Sequence, residues 1–166
     1  MSGEQRLLAR LQPLELLRVL REHDVDFLVI GGVAVAAHGY VRATKDVDII
    51  PEPSEANLER LVAALRALDA RQEIGDFPLE EMPLQLDVDG LAQGGNWFLA
   101  TRYGRLGLMQ AVEGARSYET LRGRAVVKGG IAYVGLDDLI AMKHAAGRDL
   151  DHIDIRALEE ARGATS

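Results

Sequence analysis

Two aspartates one residue apart, Asp46 and Asp48, follow Gly31-Gly32 inside the stretch VIGGVAVAAHGYVRATKDVDI, residues 29–49. Lys45-Asp46-Val47-Asp48-Ile49-Ile50 alternates polar and apolar residues and is ended by Pro51, which reads as a half-buried strand. Residues i and i+2 of a strand point to one face, about 6.5–7 Å apart at Cα. Two carboxylates so placed suit Mg²⁺ (or Mn²⁺), which takes a few carboxylates together with substrate phosphate oxygens. Ions held there activate a nucleophile and steady a leaving pyrophosphate. Upstream, the apolar run 26–30 predicts a buried strand that enters a tight turn at Gly31-Gly32. Residues 33–38 read as a short helix with Gly39 as its stop. The glycines allow backbone to approach a ligand closely, and a helix N-terminus favours an anion such as phosphate.

Each part alone is weak. A D-x-D pair also serves to solvate a strand edge, and a diglycine is also a plain turn. The stretch is not G-x-G-x-x-G, no helix-length crossover precedes the acidic pair, and there is no P-loop. The signal lies in the combination of strand, Gly-Gly, short helix, Arg-x-Thr and then Asp-x-Asp on a second strand.

That combination resembles the DNA polymerase β-like nucleotidyltransferase superfamily. The match is to its small prokaryotic branch, near the minimal nucleotidyltransferases and the abortive-infection-type (AbiEii-like) toxins. The residues that carry it are Gly31-Gly32, Arg42-Ala43-Thr44 and Asp46-Val47-Asp48. Towards the end of the chain, Asp137-Asp138-Leu139-Ile140-Ala141-Met142-Lys143, Ala146-Gly147-Arg148, Asp151 and Asp154 resemble the branch's helical signature. The resemblance brackets residues 27–158, with the middle matched only loosely. It implies an NTP as substrate, Gly31 and Gly32 against its triphosphate, and Asp46 and Asp48 on the metal. Arg42, Thr44 and Lys45 line the approach. Lys143, on a helical face with Leu139 and Ile140, is a phosphate contact in this reading, with Asp151 as an orienting carboxylate. The plain alternative for Lys143 is a salt bridge between the last two helices, since a buried lysine needs an acidic partner.

One departure matters. Active members place a third carboxylate on a later strand, where it is the expected general base; here Gly107 stands at that place. Three readings follow: Asp87 or Asp89 substitutes from a neighbouring strand, two carboxylates suffice, or catalysis is lost and a binding role remains.

The elements that must position these groups are legible in outline. A helix is expected over 13–22 from Leu14, Leu17 and Leu20 at helical spacing, and Ser54 caps another with Leu58, Leu61, Val62, Leu65 and Leu68 on one face. Residues 69–95 read as loops with one strand near 84–88. Residues 97–101 and 105–109 form a hairpin, and 124–128 and 131–134 form a second pair split by Gly129-Gly130. From Leu136 the chain is helical, with Gly147 as an interruption and a last helix over 153–161. The fold class is α+β: one nucleotidyltransferase-like domain over 1–166, with a small mixed sheet flanked by helices and closed by C-terminal helices.

Composition excludes several alternatives. The 166 residues are 48% hydrophobic and 27% charged, which suits a folded core rather than disorder. The net charge of −7 makes sequence-independent duplex binding a poor fit. There is no cysteine, hence no disulfide, thiolate nucleophile or cysteine-ligated zinc. His23, His38, His144 and His152 lack metal-ligand spacing, and His38 is expected to pack against the short helix end. Trp97, Phe98 and Tyr103 suit base stacking or, more plainly, cross-strand packing. Arg102, Arg105, Arg116, Arg122 and Arg124 give the middle a local positive bias for RNA or nucleotide phosphates, or else a solvated surface. No apolar run approaches the eighteen or so residues needed for a membrane span, and no signal peptide is evident, so a cytoplasmic location is expected. The expected reaction moves NMP from an NTP to a hydroxyl of a protein or RNA acceptor. A cognate partner protein and a toxin–antitoxin or defence setting are what the resemblance implies. The reading from another class is a degenerate member that binds a nucleotide or partner without chemistry.

Overall fold

The computed structural model describes residues 10–73 and 85–165. Chain order is α1 (Pro13–Glu22), β1 (Phe27–Ile30), α2 (Gly31–Ala37), β2 (Asp46–Pro51), α3 (Glu55–Ala67), β3 (Arg71–Gln72), α4 (Val88–Ala92), β4 (Asn96–Thr101), β5 (Gly104–Met109), α5 (Tyr118–Gly123), β6 (Val126–Lys128), β7 (Ile131–Tyr133), α6 (Leu136–Ala146) and α7 (Asp149–Thr165). The strands form one seven-stranded sheet in the order β3-β4-β5-β2-β1-β7-β6. The pairs β1–β7 and β2–β5 are parallel and the other neighbours antiparallel. This is the mixed sheet with flanking and C-terminal helices expected from the sequence.

Local chemistry explains the elements. Pro13 opens α1; Leu16, Leu17 and Leu20 are buried along it, whereas Leu14, expected on the same face, is exposed because the buried stripe lies further round the helix. Ser54 caps α3 by accepting from the Asn57 N–H, and Leu58, Leu61, Val62 and Leu65 are buried along it. Asn57 itself is fully buried. Its side-chain oxygen accepts from the Asp26 N–H at 2.7 Å, and its amide donates to the Asp26 and Glu52 carbonyls at 2.9 and 2.8 Å. One amide thus ties the start of β1 and the exit of β2 to α3.

Alternation divides the two faces of the sheet. Val47 and Ile49 of β2, Leu106 and Leu108 of β5, and Trp97 and Leu99 of β4 are buried on one face. The opposite face carries Asp46, Asp48, Arg105, Gly107 and Phe98 in register. The hydrophobic side of the sheet therefore anchors the strands; on the opposite side Leu28, Ile30 and Ile50 around Asp48 are also buried, while Arg105 and Phe98 are exposed and leave that half open.

Several expectations shift. Gly31 and Gly32 are the first residues of α2 rather than a separate turn. Pro51 is the last paired residue of β2, opposite Phe27, rather than its stop. The strand near 84–88 is not formed over its described part: Asp87 caps the short helix α4 by accepting from the Gly90 N–H. Residue 84 lies outside the described residues. The last helix begins at Asp149, well before 153, because Gly147 with φ +63° ends α6 and the chain restarts at once. No helix among the described residues is long and apolar enough to cross a membrane.

Candidate active site

Asp46 and Asp48 sit on β2 with their side chains on the polar face, as the alternation requires. Asp48 pairs with Ile30 of β1 on one side and Gly107 of β5 on the other. Its carboxylate is wedged between two glycines. A Cβ on Gly31 would lie 2.6 Å from Asp48 Oδ2, and a Cβ on Gly107 would overlap Asp48 Oδ1. Gly31 also has φ +67°, which a side chain would strain. Gly32 serves the next position: a Cβ there would meet Thr44 Oγ1 at 2.7 Å and Arg42 Nη1 at 3.2 Å. The immediate reason for the diglycine is thus internal, to admit Asp48 and Thr44 against the start of α2. Thr44 in turn donates to the Asp46 carbonyl at 3.1 Å, which fixes the entry of β2.

This packing has an electrostatic result. Burial, and then the neighbouring Asp46 charge, push the Asp48 carboxyl up to about 7, against a smaller pull down from Lys143 and Arg148. Two carboxylates of one sign on one face, one of them desolvated, form an arrangement that a divalent cation relieves. The donor set is two carboxylates on one face, which together with phosphate oxygens of a substrate would fit Mg²⁺ or Mn²⁺. Among the described residues no group of three or more acidic or histidine side chains forms a ready-made cage.

The basic residues fall into a network behind the pair. Arg42 reaches from the loop before β2 to α7, donating from Nε and Nη2 to the two oxygens of Asp154 at 2.7 and 2.8 Å. Lys143 of α6 is 6% exposed and lies 3.2 Å from Asp151 Oδ1 and 2.9 Å from Asp154 Oδ2. Arg148 closes the set on Asp151 with its side chain at 2.7 Å and its backbone N–H at 3.1 Å. Burial alone would raise Asp151, but the hydrogen bonds from Arg148 and Lys143 outweigh it and hold the group at about 2. In this structure, then, Lys143 and Arg42 are engaged with buried carboxylates, and the salt bridge between the last two helices is formed. Lys143 and Arg148 still bear on Asp48 through space. Lys45 is exposed beside the strand entry.

Other sequence candidates separate. Asp87 and Asp89 line a hollow of about 420 Å³ with Glu55, Glu59 and Arg66, which shares no lining residue with the cavity at Asp46. Neither stands in for the missing carboxylate there. His38, expected against the short helix end, is the residue that ends α2, and its ring reaches across to the residue after β7, with Nε2 2.8 Å from the Val134 carbonyl. Trp97 is buried, whereas Phe98 is 53% exposed on the polar face. Arg116 and Arg124 flank the buried Asp138 at 4.0 and 3.2 Å.

The residue that sequence reasoning missed is Glu73. It follows β3 and extends the ladder by one step, donating its N–H to the Phe98 carbonyl at 2.8 Å. A cavity of about 160 Å³ beside the aspartates is lined by Asp46, Glu73, Phe98, Arg105 and Gly107 among others. Nothing in the irregular stretch around residue 73 marks it, because its place depends on which strands become neighbours.

No family model matches the chain, and no curated protein matches it. Among solved structures it is similar to the lincosamide antibiotic adenylyltransferase LnuA in a lincomycin-bound crystal structure. That match has a TM-score of 0.62 and 17% identity and covers 92% of this chain and 99% of that one. It is also similar to ANT(2″)-Ia in complex with adenylyl-2″-tobramycin, with a TM-score of 0.53, 15% identity, and coverage of 91% and 92%. With its aspartate pair set on β2 beside the Gly31 entry to α2, the chain has the nucleotidyltransferase fold.

Proposed function

We propose that the protein transfers a nucleoside monophosphate from an NTP to an acceptor hydroxyl and releases pyrophosphate. The observation that carries this is the Asp46–Asp48 pair: one sheet face, one carboxylate desolvated between Gly31 and Gly107, on a nucleotidyltransferase fold. Asp46 and Asp48 would hold the divalent ion, Mg²⁺ or Mn²⁺. When bound, that ion polarises the α-phosphate and neutralises charge on the departing pyrophosphate. Gly31 and Gly32 keep the α2 entry narrow beside Asp48. Lys143 and Arg148 set positive charge behind Asp48 and favour its ionised form. Thr44 and Arg42 hold the strand entry in register, and Lys45 offers an exposed cation for a phosphate. The acceptor oxygen attacks the α-phosphorus in line, and the bond to the bridging oxygen of the pyrophosphate breaks.

Acceptors of three kinds enter the test: RNA, protein and a small hydroxylated molecule. The first two follow from the sequence resemblance, as does a cognate partner protein in a toxin–antitoxin setting. The third follows from the bound lincomycin and the adenylyl-2″-tobramycin named for the structural neighbours. A second reading, nucleotide or partner binding without chemistry, is favoured by one observation: Gly107 stands beside Asp48 where a further carboxylate was expected.

The experiment incubates the protein with each α-³²P-labelled NTP and Mg²⁺ or Mn²⁺. Total RNA, cell lysate, lincomycin and tobramycin are offered in separate arms, beside an Asp46→Asn/Asp48→Asn variant. Label that moves to an acceptor and is lost in the variant supports transfer. Metal-dependent NTP binding with no transfer in any arm supports the binding reading.

A further inference from the structure

A buried polar atom without a partner calls for an explanation, and a catalytic role is one of them. Among the described residues, Glu73 Oε1 is such an atom. Its sister oxygen is engaged: Arg105 Nε lies 3.0 Å from Oε2. The side chain is thus clamped by one oxygen, its other oxygen is buried without a partner, and the residue lines the cavity that also holds Asp46. A carboxylate oxygen left so loses hydration with no bond in return, a cost that a donor reaching it removes.

The register shows what Glu73 faces. Arg71 pairs with Ala100 and Gln72 with Leu99, so Glu73, bonded to the Phe98 carbonyl, stands opposite Phe98. Phe98 pairs with Gly107 and Gly107 with Asp48. Glu73, Phe98, Gly107 and Asp48 are therefore one cross-strand row on the polar face. Three inter-strand steps separate the end carboxylates, roughly 14 Å at Cα; Asp48 Oδ1 leans towards Gly107 and Glu73 Oε2 towards Arg105. Gly107 contributes no side chain to the row. The exposed Phe98 ring supplies an apolar wall. The cavity on this face is bounded by Asp46, the Phe98 ring and the clamped Glu73 carboxylate, which offers a place for an acceptor hydroxyl beside Asp46.

We propose that Glu73 is the general base of the transfer, in place of the carboxylate that Gly107 lacks. The acceptor hydroxyl donates to Oε1, Glu73 takes its proton, and the freed oxygen pair forms the bond to the α-phosphorus. The bond from that phosphorus to the pyrophosphate oxygen breaks, and its electron pair leaves with pyrophosphate. Arg105 is a positioning residue that holds Oε2 and so aims Oε1. This assignment rests on the nucleotidyl-transfer reading above.

The test uses the full chain, the labelled NTP and the acceptor fraction that takes up label from it. Glu73→Gln keeps the shape and removes the base. Its kcat is expected to fall by about 10²–10⁴-fold, the usual range for removing such a group, with Mn²⁺-NTP binding within twofold of the parent. Glu73→Ala opens space, and added formate is expected to restore transfer in proportion to its concentration. Parent-level transfer by Glu73→Gln overturns the assignment and leaves the transfer reading standing. So does a loss in both variants with no response to formate, which marks a structural role. No transfer by the parent in any arm defeats the transfer reading, and the assignment with it.

Discussion

Asp48→Asn isolates the strain that the site places on the fold. The amide has the shape of the carboxylate and fits the same slot between Gly31 and Gly107, but it carries no charge. In the folded chain the Asp48 carboxyl is raised from 3.8 to about 7 by burial and by Asp46. A folded-state value above the unfolded one means that no stability is lost to this group below about pH 3.8. Loss accumulates as pH rises and is complete above about pH 7. The gap of about three pH units corresponds to about 4 kcal/mol at full ionisation. At pH 5.5 roughly 2 kcal/mol of that is already lost, so about 2 kcal/mol more disappears between pH 5.5 and 8.5. The assay is urea unfolding of both proteins, without divalent metal, across that interval. The variant is expected to be the more stable, and its advantage to widen by about 2 kcal/mol, or on the order of 1 M in midpoint. Adding Mg²⁺ at pH 8.5 should narrow the gap by stabilising only the parent. A stability difference that stays flat with pH would refute the reasoning, because a desolvated and charge-crowded Asp48 must titrate in that window.

Further substitutions test the supports of the site. Lys143→Met leaves Asp151 and Asp154 with only Arg148 and Arg42, and urea unfolding at pH 7 should show a loss of about 3 kcal/mol, the lower end for breaking a buried pair. Because Asp151 is held at about 2, the stability it contributes is present above about pH 4 and lost as pH falls towards 2; acid unfolding of the Asp151→Asn variant should lack that part of the transition. Gly107→Ala overlaps Asp48 Oδ1 and should cost about 1–3 kcal/mol in the parent but clearly less in an Asp48→Ala background, a coupling that a double-mutant cycle reads directly. Asn57→Ala strips the partners from the Asp26 and Glu52 backbone groups and should lower the melting temperature by an amount equivalent to about 2–3 kcal/mol.

What the sequence determined by itself was local and periodic. Alternation in 45–50 placed Asp46 and Asp48 on one face, leucine spacing gave α1 and α3, Ser54 marked the cap of α3, and Gly147 marked the end of α6. Each is a matter of neighbours a few residues apart, where side-chain period and backbone preference decide. The motif from Gly31-Gly32 to Asp46-Val47-Asp48 pointed to the fold through its resemblance to a known superfamily, and the two strands it joins are adjacent in the sheet. Tertiary structure decided the rest. That Gly31 and Gly107 exist to house Asp48 follows from β2 lying between β1 and β5, a pairing that no local pattern specifies. Lys143 and Arg42 meet on Asp154 only because α7 folds back across the loop before β2. Asp87 and Asp89 went to another hollow because Asp87 caps a helix where a strand was expected. Glu73 stands at the end of the Asp48 row because β3 adds to the sheet edge beside β4. Its carboxylate gains a chemical meaning only from neighbours distant in sequence, and burial in that company leaves one of its oxygens without a partner.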